Sequence, residues 1–213
     1  MAFHGWRVEA LEFFEGLEAD NSKSYWQANK DVFETQVRAP MEALLEELAP
    51  DRGEKRLFRP YRDVRFSADK SPYKTQIAGM VGRGYVQLNA DGLAAGCGMW
   101  EMASDQLERY RNAVLDDRTG NQLTKQVAKA KAAGLDVMAH DKLKTAPRGY
   151  PKDHPRIELL RYKGLVTWRD WPAGKWLATS RAKERVVEFF QDSKPLEAWL
   201  RANVGSSNLP ERR

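Results

Sequence analysis

Residues 77–99 have the sequence IAGMVGRGYVQLNADGLAAGCGM. Strand-forming side chains recur through this stretch, and two turn signals interrupt them, Arg83-Gly84 and Asn89-Ala90-Asp91-Gly92. The pattern predicts three consecutive strands, over 77–81, 85–88 and 93–99. Because consecutive strands on short loops pair antiparallel, the stretch indicates a β-meander.

Helical patterns precede the meander. Apolar residues recur at helical spacing over 6–17 and again over 26–48. Ser22 or Ser24 can cap the second helix, and Pro40 predicts a kink or a short break inside it.

Helical spacing returns after the meander, over 107–114 and 123–130. A strand over 165–168 can rejoin the sheet. Two C-terminal helices follow, with Pro195 in the first turn of the second. The order of elements predicts an α+β fold: an antiparallel sheet with helices packed against it and helices flanking it at both ends.

The composition is that of a folded protein, with 42% hydrophobic and 31% charged residues in 213. The chain has no internal repeat or linker, so we expect one domain over 1–205 and a flexible tail over 206–213. The chain contains neither a targeting signal nor an apolar run of about 20 residues, which predicts a cytoplasmic protein that does not enter a membrane. Its oligomeric state stays open.

The strand over 93–99 carries Gly96 and Gly98 on one face. A face without side chains allows close approach of a ligand or an aromatic ring, and we expect a tryptophan ring. Cys97, the single cysteine, excludes an internal disulfide and a cysteine zinc cluster. We interpret it as a small core residue.

Charge is unevenly distributed along the chain. Residues 1–50 carry ten acidic and four basic side chains, although the net charge of the chain is +5. The segment 56–74 carries six basic and two acidic residues, and the segment 142–163 seven and two. If folding brings the two basic segments together, they form a patch for an anionic partner.

Residues 58–66, FRPYRDVRF, concentrate the arginines. As a strand, they would place Arg62 on an otherwise apolar face, where it needs a carboxylate or several carbonyls. Asp63 would lie between Arg59 and Arg65 on the other face and neutralise one of them. Composition favours a structural ladder of ion pairs, and the alternative is that guanidinium groups remain free to clamp a phosphate or carboxylate.

The pattern Arg59-x-x-Arg62-Asp63-x-Arg65-Phe66-x-x-Asp69-Lys70-x-x-Tyr73 resembles the signature of a bacterial family of unknown function, number 2461. Further similarity lies in Phe13-Phe14-x-x-Leu17, Asn21-x-Lys23-x-x-Trp26, Asn29-Lys30 and 146–155. The resemblance implies that the charged residues of the pattern and Tyr73 occupy family motif positions. It implies no reaction, because the family has no established activity.

A second basic loop, 147–155, is restricted by its prolines. It can present Arg148, Tyr150 and Lys152 to an anion. His154, beside Asp153, is the histidine best placed for acid–base chemistry, although a histidine in a rigid turn more often caps or packs.

Three functional hypotheses follow. The first is a pocket for a phosphate-bearing or other anionic small ligand, with or without catalysis. The candidate binding residues are Arg59, Arg62, Asp63, Arg65, Lys70, Tyr73, Arg148, Tyr150 and Lys152. Asp69 and His154 are the acid–base candidates.

The second hypothesis is a nucleic-acid-binding module, in which Phe58, Tyr61, Phe66 and Tyr73 stack on bases. The third is a protein-interaction or structural module with internally paired arginines.

We expect no metal and no cofactor. Phosphate-loop and dinucleotide fingerprints are absent from the sequence, and the histidines lack metal-ligand spacing. Asp63 with Asp69-Lys70 matches a metal-dependent nuclease core in composition only, because adjacent strand residues point to opposite faces.

Overall fold

The computed structural model of the protein describes residues 2–65 and 67–210. The N-terminal region is helical: α1 (Val8–Ala19), α2 (Lys23–Ala28), α3 (Lys30–Val32), a π-helical segment (Phe33–Arg38) and α4 (Ala39–Arg52). The strands are β1 (Lys55–Leu57), β2 (Gln76–Val81), β3 (Gly84–Asn89), β4 (Gly92–Met99), β5 (Asp136–Met138) and β6 (Leu165–Pro172). The remaining helices are α5 (Ser104–Leu115), α6 (Asp117–Ala132), α7 (Ile157–Leu160), a 3-10 turn (Lys175–Ala178) and α8 (Arg181–Asn203).

The strands of the described residues form one antiparallel sheet in the order β1-β2-β3-β4-β6-β5. The β2–β3 hairpin pairs Ile77 with Leu88 and Gly79 with Val86. The predicted α+β fold and the predicted meander are therefore confirmed. In the part of the chain that is described, no helix is both long and apolar enough to cross a membrane.

The chain divides into two compact units. The first comprises the described residues of Met1–Ala95 and Asp170–Glu188, and the second those of Gly96–Arg169 and Phe189–Arg213. β4, β6 and α8 are each divided between the units. The single domain expected over 1–205 stays a prediction.

The core of the first unit begins with the apolar stripe of α1. Trp6, Phe14 and Leu17 are almost completely buried, as their spacing predicts. Gly79 of β2 makes room for α4, because a Cβ atom there would lie 2.4 Å from a methyl group of Leu45. The glycine therefore sets how closely this helix packs on the sheet.

The predicted break at Pro40 takes the form of the π-helical segment, which ends two residues before it. A proline ring inside a helix clashes with the carbonyl four residues earlier and cannot donate a hydrogen bond to it. The π-helical segment over 33–38 replaces the regular α-helical hydrogen-bond ladder just before this proline. At the start of α2, Ser22 is the cap, because its hydroxyl accepts a hydrogen bond from the Tyr25 amide at 3.1 Å.

The prediction of two C-terminal helices is wrong, because α8 continues through Pro195. Its buried stripe runs without interruption from Phe189 through Leu196 to Leu200. The carbonyl that Pro195 leaves without a helical donor belongs to Gln191, an exposed residue, where water can replace the lost bond. Burial of the stripe outweighs the local cost of the proline.

The glycine face of β4 has the expected occupant at Gly96, where a Cβ atom would lie 2.8 Å from the Trp168 ring. At Gly98, whose φ is 137°, the close neighbour is the Leu165 carbonyl instead. Cys97 is buried, which confirms it as a core residue.

The strand proposed for residues 58–66 is wrong for the described part. β1 ends at Leu57, and residues 58–65 are irregular apart from one antiparallel bridge between Tyr61 and Tyr73. Pro60 and Pro72 lack the amide hydrogens that a continuous ladder requires. Phe66, which was included in the strand and in the stacking surface, lies outside the described residues.

Candidate functional site: the cleft at Arg59 and Lys74

The region from Arg59 to Lys74 is a loop that folds back on itself, and its described residues do not form a strand. The Arg62 amide donates to the Pro72 carbonyl at 2.9 Å, and the Lys74 amide donates to the Pro60 carbonyl at 2.8 Å. The two arms of the loop therefore run antiparallel. This arrangement brings Lys74 beside Pro60 and Arg59.

A buried aromatic stack supports the loop. The Tyr73 ring lies parallel to Trp26, with 4.2 Å between ring centroids. The Asn21 side-chain amide forms two hydrogen bonds with the backbone of Tyr73. Its oxygen accepts from the Tyr73 N–H at 3.0 Å, and its nitrogen donates to the Tyr73 carbonyl at 3.1 Å. Burial raises the pKa of the Tyr73 hydroxyl. Tyr73, a candidate binding residue, thus packs in the interior of the first unit, whereas Tyr61 is 50% exposed.

Arg62 has the carboxylate partner that its position requires. Its guanidinium donates to Asp69, which also accepts from the Ser71 amide at 2.9 Å and the Ser71 hydroxyl at 2.6 Å. The Ser71 hydrogen bonds, followed by Arg62, hold the pKa of Asp69 well below its usual range. A carboxylate this acidic is a weak base, so the geometry does not favour Asp69 for acid–base chemistry.

Arg65 pairs with Asp63 in a bidentate arrangement, Nε to Oδ1 at 2.9 Å and Nη2 to Oδ2 at 2.7 Å. These bonds lower the pKa of Asp63 to about 2. Asp63 thus neutralises Arg65 rather than Arg59. Lys70 donates to the Val64 carbonyl at 3.0 Å. Three of the candidate cations therefore bind groups of their own loop.

Arg59 and Lys74 line a cleft of about 260 Å³ in the first unit. Its walls are completed by Phe33, Phe58, Pro60, Gln76, Ile77, Ala78 and Tyr85. None of these lining residues is acidic. Within the described residues, neither Arg59 nor Lys74 forms an ion pair with a carboxylate.

Lys74 is half-buried in the cleft, with its ammonium 5.7 Å from the centroid of the Phe58 ring. Burial, and then the positive charge of Arg59, lower the pKa of Lys74. Half-buried Lys74 and exposed Arg59 therefore line one cleft that has no acidic side chain in its wall, although the charge of Asp63 also acts on Arg59. Such an arrangement favours a bound anion.

A hydrogen-bonded row of polar groups lies at the sheet side of the cleft. The Gln76 amide donates to the Tyr85 hydroxyl at 3.3 Å, and this hydroxyl donates to Gln87 at 2.9 Å. Burial raises the pKa of Tyr85, so its hydroxyl is neutral at physiological pH. Sequence reasoning did not select Lys74, Gln76 or Tyr85. Only Lys74 gave a signal, as part of the basic segment 56–74.

The second basic loop belongs to the other unit. Arg148 and Lys152 are exposed, and the Tyr150 hydroxyl lies 3.4 Å from the Asn112 side chain. Nδ1 of His154 accepts a hydrogen bond from the Arg156 amide at 3.1 Å. This bond stabilises the turn, which is the commoner role of a histidine in such a loop.

Arg156, which the sequence reasoning did not single out, is the buried cation of this region. Its guanidinium donates to the carbonyls of Val114 and Leu115 at 2.7 and 2.9 Å and to the side chains of Asn121 and Asp117 at 2.8 and 3.0 Å. It therefore joins the end of α5 to the start of α6.

Over residues 2–65 and 67–210, no group of three or more histidine, cysteine or acidic side chains is arranged to hold a metal ion. The cleft itself offers cations, amides and a phenol, which are ligands for anions rather than for metals.

The model of a family of conserved hypothetical proteins, DUF2461, matches residues 9–199. The chain belongs to the DUF2461 family. The resemblance found in the sequence is thereby confirmed, and the DUF2461 match includes every residue that lines the cleft. Comparison with curated proteins gave no match, and comparison with solved structures gave none. Membership of DUF2461 brings no activity with it, so a functional proposal depends on the cleft.

Proposed function

We propose that the protein binds a phosphate-bearing or other anionic small ligand in the cleft between Arg59 and Lys74. The observation that carries the proposal is the pair of cations without a carboxylate partner among the described residues, in a cleft without acidic lining. A guanidinium can hold two oxygens of a phosphate or carboxylate, and an ammonium binds a further oxygen as a point charge. A volume of about 260 Å³ suits a small metabolite rather than a polymer.

The other charged residues of the loop support the cleft rather than line it. The Arg62–Asp69 pair and the Arg65–Asp63 pair hold the loop in shape, and Lys70 ties it to Val64. The aromatic walls, Phe58 and Tyr85, provide apolar area for the organic part of a ligand. The proposal thus moves the binding role from Arg65 and Lys70 to Arg59 and Lys74.

A thermal-shift screen of the wild type tests the proposal, with phosphate, carboxylic acids, sugar phosphates and nucleotides. A ligand at a hundred times its Kd stabilises the folded state by ~2.7 kcal/mol. We expect Arg59→Ala and Lys74→Ala to lose this response. Arg38→Ala is the matched control, because Arg38 is an exposed arginine of the same unit that lies outside the cleft and pairs with Glu34 and Glu42. A response that survives both cleft substitutions, or no response in the wild type, contradicts the proposal.

Nucleic-acid binding is the second candidate, and the exposure of Tyr61 beside the arginines favours it. The salt dependence of affinity separates the two candidates. Two cations predict that log affinity against log salt has a slope no steeper than about −2. A steeper slope with an oligonucleotide, lost on Tyr61→Ala, supports a nucleic-acid groove instead.

A further inference from the structure

We propose that Lys74 is a reactive amine that condenses with the carbonyl group of an anionic aldehyde or ketone in the cleft. The inference rests on the proposed function, because Arg59 has to hold the anionic group while Lys74 meets the carbonyl carbon. It names a substrate class for the same site: small molecules that carry both a carbonyl group and a carboxylate or phosphate.

The surroundings of Lys74 differ from those of other lysines in the chain. Lys55, Lys142, Lys163 and Lys183 each pair with a carboxylate. Lys74 faces an aromatic ring and lies close to a second cation, and within the described residues it has no carboxylate partner. A carboxylate would stabilise the ammonium form, and the Phe58 ring does so to a smaller extent. Partial burial and the charge of Arg59 act in the opposite direction and favour the neutral amine, which is the nucleophile.

Ligand binding leaves the larger of the two effects in place. Burial is the first cause of the lowered pKa of Lys74, and Arg59 is the second. A bound anion cancels part of the charge of Arg59, but an occupied cleft also excludes water from the amine. Desolvation in an apolar pocket is the feature by which lysines become imine-forming nucleophiles.

The reaction is balanced without a further reagent. The nitrogen lone pair forms a bond to the carbonyl carbon, the carbonyl π electrons move to oxygen, and a proton passes from nitrogen to that oxygen. The resulting carbinolamine loses its hydroxyl group and the remaining proton on nitrogen as water, leaving a C=N bond. One amine and one carbonyl thus give one imine and one water, with no change of oxidation state.

Borohydride trapping on the wild-type protein tests the inference. The protein is incubated at neutral pH with glyoxylate, an anionic aldehyde, and then reduced, and the modified lysines are identified by peptide mapping. Lys30, an exposed lysine of the same unit, is the internal control. A parallel reaction with glyceraldehyde 3-phosphate shows whether the cleft prefers a carboxylate or a phosphate.

We expect Lys74 to be labelled several-fold faster than Lys30. Arg59→Ala and added inorganic phosphate should each reduce labelling at Lys74 to the rate at Lys30. Lys74→Arg keeps the charge and should abolish the fast phase while retaining the phosphate-dependent shift in Tm.

Labelling of Lys74 no faster than that of Lys30, with both aldehydes, overturns the inference. If phosphate still raises the Tm of the wild type and not of Arg59→Ala, the proposed anion site stands and only the amine chemistry fails. If Lys74 is not labelled faster and no anion of the thermal-shift screen raises the Tm of the wild type, both proposals fail.

Discussion

Individual side chains decide how the positive charge of the arginine loop is used. Arg62 and Arg65 take carboxylates from their own loop, Asp69 and Asp63, and so behave as the structural interpretation of the sequence expects. Arg59, three residues before Arg62, lines the cleft instead. One motif therefore contains arginines with a structural role and an arginine that is a candidate for ligand binding. They are distinguished only by whether a carboxylate of the loop pairs with them.

The Arg65–Asp63 pair should contribute little to stability. Arg65 is 77% exposed at its side chain, and solvent screens an exposed ion pair so that it contributes little to stability. We expect Arg65→Ala to leave the midpoint of urea denaturation close to that of the wild type. A large fall in the midpoint would instead support the hypothesis of a structural module.

At the scale of elements, Arg156 holds the junction between α5 and α6. The last carbonyls of a helix have no partners within it, and here the guanidinium supplies donors to those of Val114 and Leu115. Gly120 packs directly on the guanidinium, because a Cβ atom there would lie 2.5 Å from its Nε. The junction therefore depends on one buried arginine and one glycine.

Replacement of Arg156 should be costly. Arg156→Ala leaves two carbonyls without donors, each of which costs about 1–3 kcal/mol when buried. We expect a loss on the order of 3 kcal/mol in the free energy of unfolding, by urea denaturation. Arg148→Ala is the control, because an exposed arginine of the same region should change stability by no more than about 0.5 kcal/mol. Equal effects of the two substitutions would contradict the assigned role.

The residues after α8 are held at α5 by Asp105, Gln106 and Arg109, and the Asp105 carboxylate makes the contacts that depend on pH. Asp105 accepts from the Asn208 amide at 2.8 Å and from the Ser207 hydroxyl at 2.7 Å. These contacts involve part of the segment that we expect to be a flexible tail; residues 211–213 lie outside the described part.

The attachment of this segment should depend on pH. The Asn208 amide, with the Ser207 hydroxyl and Arg109, lowers the pKa of Asp105 from 3.8 to about 2. Because the folded pKa is the lower one, the contact is complete above pH 3.8 and is lost as the pH falls through about 2. The amide shift of Asn208 in NMR titration should follow this range, and Asp105→Asn should abolish the titration. A shift centred at the usual pKa of an aspartate would contradict the contact.

Across the whole molecule, many carboxylates contribute to stability in the same direction. Hydrogen bonds from cations, hydroxyls or backbone amides lower the pKa of Glu46, Glu47, Asp63, Asp69, Asp105, Asp116, Asp141, Glu158 and Glu184. Each such group stabilises the fold above its unfolded pKa and ceases to do so as the pH falls through its folded pKa.

We therefore expect the Tm to change little between about pH 7 and 5 and to fall steadily below about pH 4. Differential scanning calorimetry across this range measures the effect. Added salt should reduce it, because the pairs are mostly exposed and screened. A Tm that rises on acidification would show that repulsion among the acidic residues dominates instead.

The basic segment 142–163 shows why charge counts alone overstate a binding surface. Lys142 and Arg161 both pair with Glu158, Lys163 pairs with Asp141, and Arg156 is buried. Four of its seven basic side chains thus have a carboxylate partner inside their own unit, and two of the four share Glu158. Composition reports the charges of a segment but not their partners.

Local pattern was sufficient for much of the architecture. The meander over 77–99 and the helical stripe of α1 follow from side-chain periodicity and turn residues, which act within a few positions of the chain. The same reasoning failed for residues 58–65, where Pro60, Pro72 and the bridge between Tyr61 and Tyr73 determine the backbone conformation. It also failed at Pro195, where burial of the apolar stripe of α8 outweighs the helix-breaking effect of the proline. Strand β5 was not predicted, because three residues are too few to show the alternation of side chains that indicates a strand.

The sequence by itself determined the α+β class, the meander, the buried faces of the main helices and the family to which the chain belongs. Only the tertiary structure decided which cations have partners. Asn21 and Trp26 position Tyr73 from some fifty residues away, and that placement sets Lys74 beside Arg59 with no carboxylate partner among the described residues. Periodicity records which way a side chain faces, whereas an ion pair depends on distances between remote parts of the chain. The candidate site can therefore be identified only from tertiary contacts, whereas the fold class can be predicted from the pattern of residues along the chain.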